Sequence, residues 1–154
     1  MKENIKGEEL AHLARDFLDD ISSIKKHIDR SAKTITLRNT KILEALKLRR
    51  YIRVLKTRDD RYSLWVYRGK IRDYIIIRNL YCSCNDFLIR VIGRKEKKAC
   101  YHLIGLEHAI SSNSFIDLSD YNDLRESIYT VIMEALLEGY SPTLRRLLKA
   151  RNLV

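Results

Sequence analysis

All three cysteines of the chain fall in one short constellation: Cys82-Ser83-Cys84, fifteen intervening residues, then Cys100-Tyr101-His102. Thiolate sulfur and imidazole nitrogen are the ligands that suit Zn²⁺, which takes four of them tetrahedrally where its role is structural. Cys82, Cys84, Cys100 and His102 are therefore the expected Zn²⁺ ligands. A four-ligand site leaves no open position for substrate or activated water, so it is expected to fold the chain and not to catalyse. His108, six residues past His102, is a rival fourth ligand and is expected to point elsewhere. A catalytic Cys–His pair would need an exposed thiolate beside an accessible base. Neither a Gly-rich phosphate loop, a Ser-containing elbow nor a His-Glu-x-x-His helix is present in the sequence.

The same cysteines bear on the compartment. An odd number at ligand spacing argues against a secreted disulfide framework and for a reducing environment. The start MKENIKGEEL is polar and no apolar run reaches the length of a bilayer, so a cytoplasmic protein without a membrane partner is expected, nuclear in a eukaryote.

Hydrophobic periodicity sets the elements around the site. Leu10, Ala14, Phe17, Ile21, Ile24 and Ile28 recur at spacings of four and three and predict an amphipathic helix over 8–30, with His12 and His27 among its charged residues. A shorter helix is expected over 41–49. The period then changes to two: 51–57, 62–68 and 74–81 are rich in β-branched and aromatic residues and predict three antiparallel strands. A short helix capped by Asn85 and ended by Gly93 is expected between the ligand pairs, and a longer one leads away from His102. Ser119-Asp120 opens a helix with Leu124, Ile128, Val131, Ile132, Ala135 and Leu136 on one side, closing at Gly139. Ser141 as N-cap and Pro142 at the first helical position announce a last one.

Charge is unevenly spread. Residues 41–98 hold 17 Lys and Arg against 6 Asp and Glu, and the rest of the chain 13 against 14, so the whole net charge of +10 comes from the central segment. A localised surplus is the footprint of a protein that touches phosphates. Arg53, Trp65, Tyr67, Arg68, Lys70 and Arg72 are the expected nucleic-acid-binding residues, with rings stacking on single-stranded DNA and cations tracking its backbone. The alternative is that Trp65 and Tyr67 are core and the cations solvate a face. Tyr129, Met133 and Leu137 form a second apolar stripe on the 120–138 helix, expected to meet a partner or to complete the core.

The order Cys-x-Cys, a helical stretch, then Cys-x-His leading into an apolar helix, all preceded by a β-hairpin, resembles the SWIM-type zinc finger over residues 50–110. Within it, Tyr81 to Phe87 followed by Cys100 to Ile104 look most like the small SWIM subunit of Shu-type recombination complexes, archaeal or eukaryotic. The family pattern has Ala three residues past the histidine; here it is Gly105. The resemblance implies a partner more than a reaction: a RecA-like recombinase paralogue, with which such a subunit helps recombinase filaments assemble or persist on single-stranded DNA. The resulting expectation is one mainly helical α+β domain with a three-stranded antiparallel sheet: N-terminal helices over 1–49, a SWIM zinc finger over 50–110 and C-terminal helices over 111–154. Its expected role is a non-catalytic adaptor in homologous recombination and DNA repair. Competing readings are a stand-alone DNA-binding zinc protein or transcriptional regulator, a self-dimer using the second stripe, and a thiol enzyme.

Overall fold

Three of the strand sequences, Tyr-Ile-Arg-Val-Leu, Leu-Trp-Val-Tyr and Tyr-Ile-Ile-Ile, carry apolar residues at both odd and even positions. A strand written that way must be covered on both faces. The computed structural model, which describes residues 40–153, shows that coverage. The helix expected over 8–30, with His12 and His27, lies outside the described residues.

The sheet is built from β1 (Tyr51–Leu55), β2 (Leu64–Tyr67), β3 (Tyr74–Ile77), β4 (Tyr81–Cys82) and β5 (Ile116–Asp117), in the order β4-β3-β2-β1-β5. The first four form an antiparallel meander, and β5 adds to β1 in parallel, with Ile52 opposite Ile116 and Arg53 opposite Asp117. The expectation of three antiparallel strands is thus corrected to five in a mixed sheet that extends past residue 110. Strands of two residues carry too little alternation to register as a period.

One face of the sheet presents Tyr51, Trp65, Tyr67 and Ile76 to α1 (Thr40–Lys47), to α2 (Tyr101–Ser111) and to a wide-turned π-type helical segment, Phe87–Gly93. The other presents Ile52, Val54, Val66 and Ile75 to α3 (Asn122–Met133) and α4 (Pro142–Lys149). Alternation along the strands therefore feeds two cores, one on each side.

Both C-terminal helix signals act as expected. The Ser141 hydroxyl accepts from the Leu144 N–H at 3.1 Å with Pro142 at the first position, and Gly139 ends the preceding helix at φ 73°, a conformation that favours glycine. Leu136, expected in the core, is exposed. The last turn, Glu134–Glu138, is π-type, and its wider winding takes the residues after Ala135 out of α-helical register.

Candidate metal centre

A Cys-x-Cys pair in extended backbone sends both thiols to the same side and the middle residue to the other. Cys82 ends β4 opposite Ile76, and Ser83 turns outward, where its hydroxyl accepts the Ile75 N–H at 2.9 Å while its own N–H bonds the Ile75 carbonyl. Cys82 and Cys84 are left facing the core. The second pair uses a helix start instead. Cys100 is the N-cap of α2 in extended conformation, and His102 sits in its first turn.

The four side chains converge. One ligand atom from each of Cys82, Cys84, Cys100 and His102 lies within 4.8 Å of every other, and all four residues are buried. The cysteines are free thiols. His102 Nδ1 lies 3.8 Å from Cys82 Sγ, and Nε2 is buried with no hydrogen-bond partner among the described residues, so no carbonyl or carboxylate claims the ring. His108, on the same helix, is outside the cluster.

The donor set needs a cation to become three thiolates. Cys84 sits well below the usual thiol range because it takes the hydrogen bonds of Cys100 and Cys82. Cys82 is driven far up by its hydrogen bonds with Cys100 and Cys84 and by burial; at Cys100 the bond with Cys82 lowers the thiol, but the bond with Cys84 and burial outweigh it and push it up to about 12. Packed together in a dry interior, the three sulfurs oppose one another's ionisation, and a bound cation is what would let all three lose their protons. Residues and chemistry both fit a metal ion.

Compensation for the cluster's negative charge comes from main chain. The Phe87 N–H points at Cys84 Sγ at 3.3 Å from the start of one helical segment, and Cys100 stands at the N-cap position of α2, so the N-terminal ends of two helical segments lie beside the cluster. Arg78 and Lys97, close in sequence to the ligands, are engaged elsewhere, Arg78 with Glu107 and Asp60 and Lys97 with Asp86.

Three tyrosines that carried no metal signal in the sequence enclose the imidazole. Ring centroids of Tyr67, Tyr74 and Tyr101 lie 4.4, 4.7 and 3.9 Å from that of His102. They fix the ring by packing where other sites use a hydrogen bond.

His102→Ala is expected to cost at least about tenfold in metal retention, whereas His108→Ala leaves it near wild type; elemental analysis of the purified variants reads the ranking, and the reverse order would reassign the fourth ligand.

The expected nucleic-acid residues divide. Trp65 is 0% exposed and Tyr67 6%, so neither ring is presented for stacking; both belong to the core under α1 and α2. Arg53 is paired with Asp117 and Asp60 and lies over the Trp65 and Phe115 rings, which removes it from a DNA surface. Arg68, Lys70 and Arg72 instead gather at the β2–β3 turn. Tyr129 and Leu137 are exposed and Met133 is half-buried.

Compared with protein-family models, curated proteins and solved structures, the chain finds no match. Among the described residues no helix is long and apolar enough to cross a membrane.

Proposed function

We propose that this chain is a zinc-stabilised, non-catalytic adaptor of homologous recombination that partners a RecA-family recombinase paralogue and contributes to DNA binding. The observation that carries the reading is the buried cluster of Cys82, Cys84, Cys100 and His102, whose Cys-x-Cys and Cys-x-His order resembles a SWIM-type finger. Three sulfurs and one imidazole nitrogen favour Zn²⁺ over hard cations. Donors that face one another in the core offer no approach to a substrate, which supports a structural role.

The partnership draws support from α3 and the turn that follows it. Tyr129 is 71% exposed and Leu137 72%. Single exposed apolar residues are ordinary, but an aromatic and an aliphatic side chain on one helix are the kind of anchor that a protein interface covers.

Affinity purification of the tagged chain from source cells is expected to bring down a RecA-like ATPase in stoichiometric amount. Tyr129→Ala with Leu137→Asp is expected to reduce that recovery at least about tenfold while fold and metal content persist, since exposed residues contribute little to the core. A wild-type pull-down without the ATPase would remove the partnership. Tight, sequence-selective duplex binding by the isolated chain would instead favour the stand-alone regulator.

A further inference from the structure

The turn between β2 and β3 collects cations that the metal centre does not use. Two clefts open beside Gly69 and Lys70 and share Arg50 as a wall. The larger, about 590 Å³, is lined by the half-buried Tyr74 and Tyr101, with the buried Tyr67 at its floor, and by Lys41 and Arg72. The smaller, about 290 Å³, is walled by Arg68, Arg145 and Tyr140 together with the shared residues.

These cations are unequally answered. Arg145 meets the buried Asp73 through two hydrogen bonds, at 2.5 and 2.8 Å. Arg50 and Lys70 share one carboxylate, Glu44, each at 3.0 Å. Arg68 has no ion pair among the described residues. Partial burial, with Arg145 and Arg50 nearby, outweighs the attraction of Asp73 and holds its pKa below the ordinary guanidinium value. A half-buried cation beside other cations is an unfavourable arrangement that a bound anion relieves. Phosphate matches the planar fork of a guanidinium. Across Gly69 the larger cleft offers partly exposed tyrosine rings, flat surfaces on which an unpaired base can lie.

The geometry points to a single-stranded nucleic-acid site at the β2–β3 turn, with a backbone phosphate held by Arg50, Arg68 and Lys70 in the smaller cleft and the adjoining base laid against Tyr74 and Tyr101 in the larger. This site rests on the DNA-binding part of the function proposed above and moves it from the sheet face to the turn. Glu44 is the internal competitor: it occupies Arg50 and Lys70, and the phosphate must displace it.

Fluorescence anisotropy of the full 154-residue chain with a labelled oligothymidylate, titrated across salt concentrations, tests the site. Arg68→Gln is expected to weaken binding and to reduce the slope of log affinity against log salt by about 0.7, the loss of one phosphate contact on a single strand. Arg68→Lys should recover part of that loss. Glu44→Gln, at an exposed position unconnected to the metal, should tighten binding about threefold by freeing two cations. If the wild type binds but Arg68→Gln and Glu44→Gln both match it in affinity and slope, the strand lies elsewhere; the site falls and the DNA-binding reading stands. If the wild type ignores the oligonucleotide yet binds inorganic phosphate or thymidine monophosphate through Arg68, the cleft is a small-anion site and the nucleic-acid assignment falls. Binding of none of these probes at low salt overturns both the site and the DNA-binding reading.

Discussion

Removing the metal is expected to unfold the protein, not merely to soften it. The three cysteines lie in one core with Trp65, Phe87 and Leu103, so the ligands are also packing residues. A structural zinc contributes an apparent ~10–16 kcal/mol in small sites, comparable with the whole stability of a domain at ~5–15 kcal/mol. Stripped of the cation, three sulfurs and an imidazole are left crowded in a dry interior with no charge to hold them together. Loss does not stop at that face, because the sheet that backs the cluster also backs α3 and α4. Chelation under reducing conditions should therefore abolish the cooperative thermal transition seen by circular dichroism, and re-addition of Zn²⁺ should restore it. Cys82→Ser and Cys100→Ser should reproduce the loss, since a hydroxyl replaces a thiolate ligand. Elemental analysis of the folded wild type should find about one zinc per chain. An unchanged transition after complete metal removal would make the cluster a set of buried thiols.

How much of this was readable from the sequence depends on whether the signal was local. Cys82, Cys84, Cys100 and His102 carry their geometry in their spacing: a strand end puts residues two apart on one side, and a helix start places the other pair. Ser141 and Gly139 act through one turn of backbone and were equally legible. The surface proposed for DNA was not. Arg53 looks like a free cation until Asp117, 64 residues later, is brought beside it by β5. Trp65 and Tyr67 alternate as an exposed face would, yet the alternation separates two cores, and only the second layer of helices reveals it. Conversely, the cations at the β2–β3 turn join Arg145 from α4 and Arg50 from the entry to β1, a grouping that no stretch of sequence displays.

Gly105→Ala is expected to destabilise the protein by about 3 kcal/mol, against the ordinary preference of helices for alanine. The neighbourhood of Gly105 supplies the reason. A Cβ there would overlap the Tyr51 hydroxyl oxygen and come within 3.1 Å of ring carbon Cζ and 3.6 Å of Ile42 Cγ1. Tyr51 has no room to yield: it is 0% exposed, and its ring packs edge-on against Tyr67. Its hydroxyl is buried without a hydrogen-bond partner among the described residues, so deleting that oxygen removes the worst overlap and an unsatisfied polar group together, leaving the tight contact with Cζ. Tyr51→Phe alone should be neutral or stabilising by up to ~1 kcal/mol, and in that background Gly105→Ala should cost only about 1 kcal/mol, the remainder set by the Cζ contact. Urea midpoints of the wild type, both single variants and the double variant complete the cycle, with a coupling of about 2 kcal/mol or more expected. An equal cost of Gly105→Ala in both backgrounds would show that something other than the phenol restricts the position. The contact also bears on the metal. Tyr51 belongs to β1 and Gly105 to α2, the helix that carries Cys100 and His102 at its start, so their close approach sets the depth at which two of the four ligands meet the sheet. Gly105→Ala should consequently lower metal retention in the tyrosine background and spare it in the phenylalanine one.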